Sequence, residues 1–329
     1  MTTEIFAITP PFTQLNTPYP ATAYIKGFLN TKEISSTQAD LGIEVILELF
    51  SKRGLNDLFA VDHQQPISDN AKRILALKDE YLKTIDAVIA FLQGKNPTLA
   101  LQICGDDFLP QAARFSQLEE LDWAFGAMGT QDKAKHLATL YLEDISDYIV
   151  ECIDENFGFS RYAERLGRSA NAFDELYAAL QKEPTYIDKI LISVLAEKIK
   201  LLQPTLFLIS VPFPGNLYSA FRCAQWVKAN FPEIKISMGG GFPNTELRSL
   251  SDKRVFEFFD FFTLDDGELP IELLINNVRC NVPPEMQMYK RTFLLENDQV
   301  VYKNDSFRKD YRQADVGTPD YSGLLLDKY

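Results

Sequence analysis

Positive charge is scarce in this 329-residue sequence: 33 Lys and Arg stand against 46 Asp and Glu, for a net charge of −13. Nucleic-acid and anionic-lipid surfaces are bound by Lys and Arg gathered on one face, so the balance speaks against both partners. Histidine is nearly absent, with only His63 and His136. The four cysteines, Cys104, Cys152, Cys223 and Cys280, lie far apart and form no CxxC. Zinc and iron–sulfur sites usually need clustered ligands, so these read as reduced thiols of a cytoplasmic protein. No apolar run approaches the roughly 20 residues of a membrane span. The opening MTTEIFAITPPF has neither a basic leader nor an apolar h-region, so no secretion signal is read there. GxGxxG and GxxxxGK[ST] are both missing, which leaves dinucleotide and nucleoside-triphosphate binding without their usual support. A GxSxG elbow is missing too, and no Cys/His pair offers a nucleophile.

What is present is the composition of a globular protein, 46% hydrophobic and 24% charged. The pattern changes twice along the chain. In residues 1–67, EIFAITPPF reads as a buried strand stopped by Pro10 and Pro11, followed by a stiff loop with Pro18 and Pro20. ATAYIKGFLN has approximate helical spacing, ISSTQAD reads as a second strand, and LGIEVILELFSKRG as a helix stopped by Gly54. Residues 68–203 are rich in Ala, Leu, Lys, Glu and Asp, and four or more helical periods predict an all-helical insertion. The period of the first of these ends at Gly94.

Alternation returns in residues 204–280. TLFLISVPF and IKISMGGG read as strands, and NLYSAFRCAQWVKANFP as a helix with Asn216 as candidate N-cap. FFDFFTLDDGE reads as a third strand with an acidic turn, then LPIELLINNV as a helix with Pro270 in its first turn. Such alternation predicts an α/β, doubly wound, flavodoxin-like sheet of five parallel strands in the order 2-1-3-4-5. The order brings the proline loop beside SVPFPGN at the topological switch point, where such sheets bind ligands. Residues 281–329 read as a β-hairpin around Glu296-Asn297-Asp298 and a linker-like end, as though at a boundary inside a longer protein.

Three consecutive glycines, Gly239, Gly240 and Gly241, close the fourth strand. Glycine at a strand's carboxyl end permits positive φ and lets a ligand approach the backbone; a tight turn is the plainer reading, though one glycine serves that. Among the acids, Asp106 and Asp107 in CGDDF read as a solvated turn. Asp265, Asp266 and Glu268 sit at the ligand edge and equally suit a helix start that complements the dipole. Tyr19, Tyr218, Phe221 and Trp226 fall near the switch point, where core packing is the simpler role.

Taken in order, ITPPF, LISVPFPGNLYSA, ISMGGGFPN and FFTLDDGELPIELL resemble the cobalamin-binding N-terminal half of radical S-adenosylmethionine proteins. The resemblance covers about half the chain and leaves out the helical middle. It implies that Ser210 takes the strand-end serine position, that Gly240-Gly241-Phe242-Pro243 matches the glycine pair beside the cofactor's nucleotide tail, and that Asp265–Glu268 stands for the acidic turn. The corrin's lower face would then meet Pro11, Phe12 and Thr13 of the proline loop and Pro212, Asn216 and Leu217 after the third strand. Gly239, Asp266 and Glu268 complete the expected cofactor contacts.

The sequence departs from the family in lacking DxHxxG, so the cobalt is expected to have no histidine below it; His63 and His136 read as ordinary helix or loop residues. The serine motif carries Val211-Pro212, and the acidic turn has Asp265-Asp266 for Gly-Glu. CxxxCxxC is missing, so [4Fe–4S] and S-adenosylmethionine are expected only in a C-terminal radical domain of the same polypeptide. PDYSGLLLDKY resembles the segment leading into it. This chain alone is then a non-catalytic cofactor module acting on an unknown substrate. The alternative is a cofactor-free Rossmann-like scaffold whose helical insertion recognises substrate or a protein partner.

Overall fold

Ile5–Thr9 carries β-branched Ile and Thr around Phe6 and Ala7, and Pro10 ends the run; it forms strand β1, buried along its whole length. A computed structural model of the chain describes residues 4–61, 66–105, 107–120, 129–168 and 173–329. β2 (Ser36–Asp40) and β3 (Leu206–Ser210) flank β1, followed outward by β4 (Lys235–Gly239) and β5 (Phe261–Thr263). Every adjacent pair among these five is parallel. β6 (Thr292–Glu296) and β7 (Gln299–Lys303) continue the same sheet antiparallel, giving the order β2-β1-β3-β4-β5-β6-β7.

The α/β class is as expected, but the sheet is seven-stranded and mixed rather than five-stranded and parallel. The reason lies at β5, whose outer edge would otherwise leave backbone groups unpaired. β6 covers it through the pairs Phe262–Phe293 and Thr263–Thr292. The hairpin itself turns on Asn297 and Asp298 at φ 48° and 63°, the two positive φ values a two-residue type I′ turn requires.

The chain divides into two compact units. One comprises Met1–Glu44, Phe159–Pro184 and Leu191–Leu326; the other comprises Val45–Gly158, Thr185–Ile190 and Asp327–Tyr329. In the first, the helices Ala21–Thr31 and Glu268–Arg279 share one face of the sheet: Phe28, Leu29, Ile271 and Leu274 pack with Ile5, Ala7, Leu206 and Leu208. On the other face Phe6 stacks on Phe207 at 5.4 Å. Phe221 of the helix Leu217–Asn230 reaches β5 through Phe259, with ring centroids 5.0 Å and then 5.2 Å apart.

The second unit is helical. Its core holds Tyr81, Tyr141, Tyr148, Ile85 and Ile145. The Tyr141 hydroxyl donates to the Tyr81 carbonyl at 3.2 Å and lies 3.0 Å from the Thr84 hydroxyl. Asp144, fully buried, accepts the backbone N–H groups of Ala112 and Arg114. Burial pushes its carboxyl above the ordinary range, and those two N–H groups work against the shift.

Three local expectations are corrected. Gly54 does not end a helix. It lies inside the helix Lys52–Phe59, whose N-cap Ser51 accepts its N–H, and a Cβ there would come within 2.1 Å of the Glu48 carbonyl oxygen. The helical run before Gly94 is broken at Leu77 into Asp69–Ala76 and Lys78–Leu92. Asn216 precedes its helix without capping it, because its side chain bonds elsewhere.

Candidate functional site

The carboxyl ends of β3 and β4 are welded to each other. Val211 N–H donates to the Gly239 carbonyl at 2.8 Å, and Phe242 N–H donates to the Val211 carbonyl at 3.0 Å. Gly240 turns the chain between them at φ 104°. A Cβ on Gly240 would sit 2.8 Å from the Val211 oxygen, and one on Gly241 2.8 Å from the Pro212 oxygen. These two glycines therefore answer to a close backbone approach, so room for a ligand is not what requires them. Gly239 is milder: its Cβ would meet Thr263 Oγ1 at 3.0 Å.

A cavity of about 270 Å³ opens beside this weld, on the sheet face covered by Ala21–Thr31 and Glu268–Arg279. Small residues create it: Ala7, Ser237 and Gly239 leave the sheet low under the helices. Thr22 and Ile25 form one wall, and Asp265, Asp266 and Glu268 stand among the lining at the carboxyl edge. Gly267 lets the two helices close: a side chain there would press on Ile25 and Ile271, at 3.3 and 3.4 Å. Two residues of the lining, Thr22 and Ser237, are buried, and their hydroxyl oxygens, each with less than 1 Å² accessible, find no hydrogen-bond partner among the described residues. Thr263 Oγ1 makes only a 3.4 Å contact with the Met238 carbonyl.

Of the twelve residues expected to touch a cofactor, Ser210, Gly239, Gly240, Asp266 and Glu268 line this cavity. The other seven do not. Pro212 and Gly241 face one another in the weld. Pro11, Phe12, Thr13 and Leu217 are buried in packing. Asn216, with no exposed surface, donates its amide hydrogens to the carbonyls of Pro10 at 2.8 Å and Phe12 at 2.9 Å. The proline loop and the loop after β3 are thus neighbours, joined by a structural cross-link.

The acidic turn is held by an arginine that its own segment does not contain. Asp265 adopts φ 58°, and its N–H donates to Asn244 Oδ1 at 2.6 Å. Its carboxylate pairs with Arg248 and, at 3.7 Å, with Arg291. Arg291 also donates to the carbonyls of Leu264 and Asp266 and grips Asp310 through two bonds of 2.8 and 2.9 Å. That grip holds the Asp310 carboxyl below its usual range. Charge at the turn is therefore partly neutralised by design of the hairpin, on which Arg291 sits just before β6.

The cavity's helical wall is fastened from behind by the tail. Asp320 N–H donates to the Ala23 carbonyl at 2.9 Å, and its carboxylate receives Asn30 at 2.7 Å and Lys26 at 3.3 Å. Gln38 of edge strand β2 donates to the carbonyls of Asp320 and Ser322. The tail lies so close that a Cβ on Gly27 would fall 2.1 Å from the Thr318 oxygen. Hydrogen bonds from the Ser322 hydroxyl, against a smaller effect of burial, and then from Ser322 N–H, Asn30 and Lys26 hold the Asp320 carboxyl far below the usual range.

The remaining candidates lie apart. His63 and Asp106 fall outside the described residues. His136 belongs to the helix Gly129–Cys152 of the second unit. Tyr218 and Phe221 are core, Tyr19 packs edge-on to Phe213 at 5.7 Å, and Trp226 packs on Phe231 at 5.8 Å. Sequence reasoning missed Thr22, Ser237 and Arg291. Ser237 alone left a signal, a polar residue set between the apolar Ile236 and Met238 of β4. Among the described residues no helix is long and apolar enough to cross a membrane. No family model, curated protein or solved structure matches the chain.

Proposed function

We propose that the first unit is a corrinoid-binding module of the cobalamin type, built on a flavodoxin-like five-strand core, that seats the cofactor's nucleotide arm in the cavity beneath Ala21–Thr31. The observation that carries this reading is a recess of about 270 Å³ at the switch-point edge whose lining includes two buried, unpartnered hydroxyls. An apolar protein cavity of about 150 Å³ accepts benzene, so one nearly twice as large suits a bicyclic base. Ser210, Gly239 and Gly240 at the rim and Ser237, Thr22 and Ile25 inside are the residues that would hold the arm. When bound, the corrin supplies a carrier for a methyl group or a contact surface for substrate, and this chain's contribution is to orient and bury it. The same reading places the [4Fe–4S] cluster and S-adenosylmethionine in a further domain of the polypeptide, in a cytoplasmic enzyme.

The welded glycines favour a second reading. Val211 and Pro212 fill the space that side chains at Gly240 and Gly241 would take, which accounts for the GGG run by packing alone. On that reading the unit is a cofactor-free scaffold and the helical unit does the recognising. Gel filtration of the protein after incubation with hydroxocobalamin separates the two. The corrinoid reading expects the red chromophore to elute with the protein and to be lost in Ser237→Leu, which fills the recess, and in Ser210→Phe, which blocks its rim. Elution of all the colour in the salt volume with wild-type protein overturns it.

A further inference from the structure

Resting on the corrinoid reading, we infer that the floor of the cavity is shaped for the polar edge of a purine, so that the preferred cofactor carries adenine rather than dimethylbenzimidazole as its nucleotide base. Ser237 lines the cavity. It occupies the middle of β4 between Ile236 and Met238, on the same face as Gly239 and opposite Leu208 in the register with β3. Only 2% of its surface is exposed, and its hydroxyl has no partner among the described residues. Thr22, one residue inside the wall helix, is buried to the same extent and is equally unpartnered. Both belong to the lining of one recess.

Two orphaned hydroxyls on residues that line one small recess are costly unless something arrives that they can turn about χ1 to meet. Each has one hydrogen to donate and two lone pairs to receive. Leaving a buried group of this kind unsatisfied forfeits its whole hydration without a replacement bond. The inserted edge of dimethylbenzimidazole consists of methyl and C–H groups, so its arrival would exclude water and still leave both hydroxyls unmet. Adenine has the same bicyclic size but presents ring nitrogens that accept and an exocyclic amine that donates. A pocket built to hydrogen-bond a ligand discriminates strongly against the analogue lacking that group, whereas an apolar pocket barely distinguishes the two. The acidic turn beside the opening disfavours a polyphosphate and tolerates the single phosphodiester of a corrinoid arm.

The test is a spectroscopic titration of the protein with hydroxocobalamin, with the hydroxo-cobamide carrying adenine, and with adenosine alone. The inference expects the adenine cobamide to bind about tenfold more tightly than hydroxocobalamin, as one or two added hydrogen bonds provide. It expects Thr22→Val and Ser237→Ala, each close in size to the original, to bring the ratio towards one while the melting temperature is kept. Equal or tighter binding of hydroxocobalamin to the wild type, or a preference that survives both substitutions together, overturns the inference and leaves the corrinoid reading standing. If neither cobamide binds, or if adenosine alone binds as tightly as the adenine cobamide, the corrinoid reading itself falls.

Discussion

The backbone oxygen of Val211 occupies the place where Gly240 would carry a side chain, 2.8 Å from an ideal Cβ. Gly240 also holds φ 104° with ψ −169°, a region populated almost only by glycine. Gly240→Ala is therefore expected to destabilise the first unit by about 2–3 kcal/mol through strain and displacement of Val211. Gly239→Ala should cost less, because Thr263 can turn its hydroxyl aside. Urea unfolding of the two variants checks the ranking; equal small losses would mean the weld yields.

Asn216→Ala removes the two bonds from a buried amide to the carbonyls of Pro10 and Phe12 that tie the proline loop to the loop after β3. A loss of about 2 kcal/mol is expected in denaturant unfolding. Asn216→Asp should be at least as damaging, since a carboxylate cannot donate to carbonyls.

How much of this was legible from residue order can be seen at particular positions. IFAIT and LFLIS announced central strands because a parallel strand covered on both faces is apolar throughout. Asn297-Asp298 announced its hairpin because positive φ favours those side chains. The hairpin's place as the sheet's sixth and seventh strands was not legible, since nothing in a hairpin's own residues says which edge it will cover. Gly240 was seen as special but for another reason: what fills its Cβ position is Val211, 29 residues away in the chain, and only the fold brings them together. Asn216 looked like a cap because its partners, Pro10 and Phe12, lie 206 and 204 residues away in the chain. The cavity was invisible for the same cause, as it arises where Ala7 of β1 and Ser237 and Gly239 of β4 come under the helix that carries Thr22.

Ser237→Ala replaces an unpartnered buried hydroxyl with a methyl group that needs no partner. The free protein should melt at the same temperature or slightly higher, with a gain of up to about 1 kcal/mol. A clear loss of stability would show that the hydroxyl is satisfied in solution.

The tail's hold on the Ala21–Thr31 helix should be acid-sensitive. The Asp320 carboxyl is depressed in the folded protein, so its contribution is complete above the ordinary carboxylate value of about 3.9 and fades as pH falls through the lower, folded value. Asp320→Ala should remove the hold at every pH. Limited proteolysis reads both: cleavage after Val316 is expected to accelerate in the variant at neutral pH and in the wild type only in strong acid. Wild-type cleavage that quickens already near neutral pH would contradict this assignment.

The proposed function requires that the recess beneath Ala21–Thr31 receive a corrinoid's nucleotide arm. Equilibrium titration of hydroxocobalamin into the wild type and into Ser237→Leu, followed by the corrin absorption bands, tests this most directly. Saturable one-to-one binding by the wild type, weakened at least tenfold in a Ser237→Leu protein that melts normally, is the predicted result. Binding that is the same in both proteins, or absent from both, contradicts it.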